Sequence, residues 1–155
     1  MNNKILKLTL KNIAWLIMLA IFFLIDRYLK LLAISSTAKP IINNLLNFNF
    51  VPNYQIAFSL PISGPWLSVI IGLVITAIFA YVIINYKQLK TIELIGFSGI
   101  LLGAISNLID RLKYGFVIDY FDLKWFTIFN LADVLISLGS ITLFIYLLKT
   151  SKKDS

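Results

Sequence analysis

An all-α membrane protein is the fold class this sequence predicts: four transmembrane helices joined by small extracytoplasmic β-containing loops, with both termini cytoplasmic. Three observations predict it. The 155 residues are 59% hydrophobic and 14% charged, with a mean hydropathy of +0.89, whereas about a quarter of the residues in a soluble domain are charged. The apolar residues fall into runs at about 13–34, 66–84, 92–109 and 131–148, each near the roughly 20 residues that cross a bilayer core. Lysines cluster near the N-terminus, at Lys87 and Lys90, and near the C-terminus, which by the positive-inside rule puts those three places in the cytoplasm. Residues 1–155 therefore read as a single membrane domain, with extracytoplasmic loops at 35–65 and 110–130.

Lys4, Lys7 and Lys11 precede the first run, an arrangement shared with signal peptides, and Ser36 and Ala38 could form a cleavage site. The run continues through Leu29, Leu31 and Leu32, longer than such a region usually is, and this favours a retained helix. Asp26 and Lys30 near its far end are spaced i,i+4 with the acid first, the better order for a helical ion pair, and are expected to be structural. Ser35 to Pro65 is rich in Asn and Pro, with a strand-like piece at Asn47 to Val51. Its length, with Asn53 inside it, suggests a lid. Trp66 opens the second span as an interfacial anchor, and Tyr86, Lys87 and Lys90 form its short exit.

The third span carries Gly96, Ser98, Gly99, Gly103, Ala104 and Ser106, small residues that let helix backbones approach closely, so it is expected at the centre of the bundle. Gly103, Asn107 and Arg111 follow at i,i+4 and Asp110 at i+3 from Asn107, which gathers them near one face. Val117 to Phe121 could be a strand, and Trp125 and Phe126 suit the interface. Asn130 and Asp133 fit the N-cap and N3 positions of the last helix, which explains both residues without any chemistry. Against that, an acid at or near hydrocarbon depth is a costly choice if capping is its only use. Asp119, with apolar neighbours on both sides, is either a buried structural acceptor or a site acid.

The formal charge of +7 lies in clusters beside apolar runs, the pattern of topology signals and anionic-lipid contacts, so membrane lipids and not nucleic acid are the expected partners. The chain has no cysteine and no histidine. That removes thiol and imidazole catalysis and the usual zinc sites, leaving carboxylates, lysines and hydroxyls. Gly96-Phe-Ser-Gly99 is similar to the nucleophile motif of rhomboid serine proteases, but those need a histidine base; helix packing explains Ser98 better. A Ser-Lys dyad would need Lys30 or Lys39, and neither has a recognisable setting. Two carboxylates that approach closely share one proton, and such a pair can hydrolyse a peptide without histidine. The spacing of Asp119 and Asp133 does not compel that approach.

Several of these residues carry a family likeness. Asp26 to Lys30, Asn53 with Ala57-Phe58-Ser59, Gly103-Ala104 through Asn107 and Asp110-Arg111, Val117 to Tyr120, and Phe129-Asn130-Leu131-Ala132-Asp133 occur in an order that resembles lipoprotein signal peptidase, a bacterial membrane aspartyl protease family. The resemblance covers nearly the whole chain. It implies removal of signal peptides from diacylglyceryl-modified prolipoproteins just before the lipidated cysteine, with Asp119 and Asp133 as the catalytic pair. Asn53, Asn107, Arg111 and Asn130 would line or support the site, and Asp110 would hold Arg111. It also implies a monomer in the bacterial cytoplasmic (inner) membrane, a site on the extracytoplasmic side, sensitivity to globomycin, and no metal or organic cofactor. Gln55, Ser106 and Val134 depart from the family pattern of glycine, glycine and serine, and Gln55 puts the Asn53 loop in doubt because glycine permits backbone angles that other residues avoid. The rival class is a non-enzymatic small bundle, a transporter subunit or assembly factor.

Overall fold

The computed structural model describes residues 3–43, 45–55 and 64–151, with residues 3–12 and 65 described by their backbone alone. Ala57, Phe58 and Ser59, the side chains of Lys4, Lys7 and Lys11, and Lys152, Lys153 and Asp154 lie outside the described residues. In chain order the elements are α1 (Asn3–Ser35), β1 (Lys39–Ile42), β2 (Leu46–Asn53), α2 (Pro65–Asn85), α3 (Thr91–Tyr114), β3 (Val117–Leu123), β4 (Ile128–Phe129) and α4 (Leu131–Ser151). Among the described residues, three helices are long and apolar enough to cross a membrane: Trp66–Asn85, Thr91–Tyr114 and Leu131–Ser151. The protein is thus mostly helical with one small antiparallel sheet.

α3 touches each of the other three helices and packs most extensively on α4. Glycine makes that contact possible. A Cβ on Gly139 of α4 would lie 2.6 Å from the Gly96 carbonyl oxygen, one on Gly99 would lie 3.2 Å from that of Leu135, and one on Gly103 would collide with that of Ala132. Backbone therefore meets backbone along the α3–α4 seam, as small residues at this spacing allow. Gly96 and Gly99, which bracket Ser98, belong to this seam. α3 runs on to Tyr114, so Asp110 and Arg111 are helical residues and not part of the following loop. It stops at Gly115, whose φ of 82° suits a left-handed helix end and whose N–H donates to the Arg111 carbonyl.

The sheet has the strand order β1-β2-β3-β4 with antiparallel pairing throughout. The sequence suggested only the two central strands; β1 and β4 are short segments that pair onto them. Alternation along β3 points Ile118 and Tyr120 to one face and Val117 and Asp119 to the other. Ile118 and Tyr120 form a core with Ala33 of α1, flanked by Leu29, Phe48 and Leu131. This contact fastens the sheet to one end of the helices. The β2–β3 register shifts between Phe48 and Val51, so that Val51 pairs with Asp119, a bulge of the kind that re-aims side chains. Trp125 and Phe126 form the exposed tip between β3 and β4, where Trp125 has a φ of 73°.

The seam generates a direct test. Gly103→Ala forces α4 away from α3 against a backbone carbonyl, and overpacking of this kind typically costs about 1–3 kcal/mol. Thermal unfolding in detergent should show a lower midpoint for Gly103→Ala than for Gly72→Ala, because a Cβ on Gly72 meets nothing within 4 Å.

Candidate active site

The N-terminus of α4 arrives at the sheet with unpaired backbone donors, as every helix does. Asn130 and Asp133 cap each other: the Asp133 N–H donates to Asn130 Oδ1 at 2.9 Å, and the Asn130 N–H to Asp133 Oδ2 at 3.2 Å. The intervening donors are met from other elements. The Leu131 N–H donates to the Tyr120 hydroxyl at 2.9 Å and the Ala132 N–H to Asp26 Oδ1 at 3.1 Å. Strand β3 and helix α1 thus fix where α4 begins, and with it the position of Asp133.

Asp119 reaches the same place from β3 and is 2% exposed. Asn130 Nδ2 donates to its Oδ1 at 2.6 Å and Asn53 Nδ2 to its Oδ2 at 2.9 Å. Asp133 Oδ1 accepts from Asn107 Nδ2 at 2.8 Å, and Asn130 Nδ2 also donates to Asn107 Oδ1 at 3.2 Å. Asn130 therefore hydrogen-bonds to both acids, an approach the linear spacing left open. Burial pushes the Asp119 carboxyl up to about 7, the nearby Asp133 charge adds to the rise, and the hydrogen bonds from Asn53 and Asn130 and the charge of Lys30 oppose it. Tyr120 is pushed upward, first by burial and then by the Asp26 charge, so it stays a neutral phenol that can both donate and accept.

Behind these groups lies a second layer of charge. Lys30, fully buried, donates to Asn107 Oδ1 at 2.7 Å and pairs with Asp110 at 2.7 Å and Asp26 at 3.3 Å. The expected Asp26–Lys30 pair is present but shared among these partners. The expected hold of Asp110 on Arg111 is corrected: the Asp110 carboxylate pairs with Arg27 and Lys30 and accepts the Ile118 N–H. Adjacent helical residues project about 100° apart, so Asp110 turns towards α1 while Arg111 turns away. Arg111 instead donates to the Gln55 carbonyl at 2.8 Å, and the Gln55 N–H donates to Asn53 Oδ1 at 3.0 Å. Trp125 is the only non-glycine residue with positive φ among the described residues, so Gln55 needs no backbone angle reserved for glycine.

The family model described as signal peptidase (SPase) II matches residues 18–149. The chain belongs to the signal peptidase II family. Among its relatives, a lipoprotein signal peptidase of Clostridioides difficile is 38% identical over 117 residues, covering 74% of this chain and 78% of that one. Another, from Clostridium acetobutylicum, is 33% identical and covers 90% of this chain and 97% of its own. A bacterial membrane enzyme solved by the in meso method aligns with a TM-score of 0.78 at 22% identity over 92% of both chains. A second, solved at 1.9 Å, aligns with a TM-score of 0.75 at 25% identity, over 88% of this chain and 93% of that one. Family membership and the apolar helices make this a multi-pass bacterial membrane protease, and the non-enzymatic bundle is not favoured.

Within this signal peptidase II chain, sequence reasoning missed Arg27, gave Tyr120 no part of its own, and noted Ser106 only as a small packing residue and a departure from the family pattern. Arg27 carried a faint signal as a second cation beside the Asp26–Lys30 pair. Ser106 is buried in the same network, donating from Oγ to Asp26 Oδ2 at 2.6 Å. An open depression of about 620 Å³ on the sheet, lined by Pro40, Asn43, Asn47, Asp122 and Lys124, includes none of the groups above. Tyr120→Phe removes the donor to Asp26 and the acceptor for the Leu131 N–H, and leaving buried partners unsatisfied costs about 1–3 kcal/mol. A lower thermal midpoint and faster hydrogen exchange at the first turn of α4 are the expected outcome.

Proposed function

We propose that this chain is an intramembrane aspartyl endopeptidase that removes signal peptides from diacylglyceryl-modified prolipoproteins, cutting before the lipidated cysteine with Asp119 and Asp133 as its catalytic pair. The observation that carries the proposal is the joint bonding of both acids to Asn130 in a chain of the signal peptidase II family. Asp26, Asp110, Asp119 and Asp133 stand near Arg27, Lys30 and Arg111, four negative groups against three positive ones. One shared proton makes that cluster neutral and leaves one acid of the pair protonated and the other ionised, the state an aspartyl protease requires.

Asp119, the more buried acid, keeps the proton, and Asp133 as carboxylate takes a proton from water. The resulting hydroxide adds to the scissile carbonyl carbon while Asp119 gives its proton to the carbonyl oxygen. The tetrahedral adduct then collapses, the C–N bond breaks, and the amine leaves with the proton that Asp133 took. The hydroxyl proton of the adduct passes to Asp119 as the carboxylic acid product forms, which restores the starting state. Asn53, Asn107 and Asn130 hold the two carboxyls in place, and Arg111 holds the Asn53 loop through Gln55.

The site belongs on the extracytoplasmic side of the cytoplasmic membrane, with α1 as the fourth span and both termini inside, in a single membrane domain that works as a monomer. The lysine clusters support that topology, and a lipid-anchored substrate requires the scissile bond to meet water near the outer interface. The acyl chains then rest against the apolar helix faces, and no metal or organic cofactor takes part.

With purified protein and a diacylglyceryl prolipoprotein peptide, Asp119→Asn and Asp133→Asn should each lower kcat by about 10²-fold or more while the protein still accumulates. Globomycin should block the wild type. Substantial turnover by either variant would remove that residue from the mechanism. The activity should also fall as pH rises through about 7, where Asp119 loses its proton. Asn53→Ala deletes a hydrogen bond that favours the charged form of Asp119, so the proton is held to higher pH. The alkaline limb should move upward by up to about one unit.

A further inference from the structure

The Lys30 ammonium has three N–H donors and four acceptors in reach: Asn107 Oδ1 and Asp110 Oδ2, both at 2.7 Å, Asp26 Oδ2 at 3.3 Å and Ser106 Oγ at 3.4 Å. It is fully buried, so no bulk water makes up a missing partner and the acceptors compete. Two of them are carboxylates, which ordinarily outbid an amide oxygen for an ammonium. Yet the amide holds one of the two short bonds, and the reason lies in what else each acid accepts.

Asp26 Oδ2 has its short hydrogen bond from the Ser106 hydroxyl at 2.6 Å, while its Oδ1 takes Tyr120 and the Ala132 N–H. Asp110 Oδ1 is taken by Arg27 Nη1 at 2.5 Å, and the same guanidinium nitrogen donates to the Ser106 carbonyl and hydroxyl oxygens. Each acid is satisfied on one side by a neighbour that makes no hydrogen bond or ion pair to Asp119 or Asp133. We propose that Arg27 and Ser106 are positioning residues for the reaction, each satisfying one buried acid so that Lys30 is left to hold Asn107 and, through it, Asp133. This rests on the assignment of Asp119 and Asp133 as the catalytic pair.

The consequences of removal run in opposite directions. Without the Ser106 hydroxyl, Asp26 draws the ammonium along α1. Without Arg27, Asp110 draws it one turn further along α3, away from Asn107. In both cases Asn107 Oδ1 loses its charged donor and keeps only Asn130, so the amide that aligns Asp133 is no longer clamped from two sides. The charged groups around Lys30 are Asp26 on its own helix, Asp110 on α3, Asp119 on β3 and Asp133 on α4, with Arg27 opposing Asp110; β2 contributes none.

The experiment uses the full chain in detergent and a diacylglyceryl prolipoprotein peptide, comparing Ser106→Ala and Arg27→Gln with Arg27→Lys and with Asp119→Asn and Asp133→Asn. Expected for Ser106→Ala and Arg27→Gln is a loss in kcat of roughly 10-fold with KM within about two-fold, the mark of an interaction that matters in the transition state. The alkaline limb of the pH profile should move upward as the positive charge withdraws from the pair, and Arg27→Lys should recover most of both properties. A lower thermal midpoint with unchanged kcat and pH profile would overturn the proposal, because a merely structural part gives that result. If Arg27→Gln does not accumulate, Ser106→Ala, which removes one oxygen, decides alone. Activity in Asp119→Asn or Asp133→Asn would overturn the underlying catalytic assignment, whereas inactive aspartate variants beside an unaffected Ser106→Ala would overturn only the positioning roles.

Discussion

A largely buried cluster in which four carboxylates face three cations constrains the elements around it. Removing one charge from water costs several kcal/mol even after relaxation, and the cost is recovered only where each group finds partners of good geometry. Asp26 and Asp110 achieve this with Lys30, Arg27, Ser106, Tyr120 and two backbone N–H groups, drawn from α1, α3, β3 and α4. None of these four elements could shift by a residue without leaving a buried charge short of a partner. The cluster therefore ties the ends of α1, α3 and α4 to the sheet, and its uneven charge count is the ground for the shared proton proposed at Asp119 and Asp133.

Close helix packing is what allows the cluster to exist. Lys30 spans from α1 to Asn107 and Asp110 on α3, and Asn107 in turn reaches Asp133 on α4. That reach depends on the glycine seam, where Gly103 lies against the Ala132 carbonyl one residue before Asp133. The seam that would pass for ordinary membrane-helix packing thereby sets the distance between a buried lysine and a candidate catalytic acid. The β2–β3 bulge acts from the other side, with Asp119 opposite Val51 and within reach of Asn53.

Tyr120 joins the two halves. Its ring packs in the core between the sheet and α1, while its hydroxyl gives its proton to Asp26 and accepts the first N–H of α4. A carboxylate could not donate to Asp26, and an ammonium could not accept from a helix terminus. Only a neutral hydroxyl meets both needs, and burial keeps this one neutral.

Much of the fold was legible in the linear chain because its signals are local. Asn130 and Asp133 cap each other as their spacing foretells, Gly96, Gly99 and Gly103 lie on one packed face, and Asp26 and Lys30 meet at i,i+4. The errors arose where local geometry does not choose among partners. Asp110 and Arg111 are sequence neighbours yet point to different elements, and Arg27 finds Asp110 across 83 positions of chain. Residue order and type thus determined the helices, their caps and the absence of histidine or cysteine chemistry, since each depends on periodicity or on composition. Which acid pairs with which base, and whether Asp119 and Asp133 share a neighbour, was decided only when four separated segments packed into one low-dielectric cluster, because there a charge must be satisfied by whatever tertiary contact brings within reach.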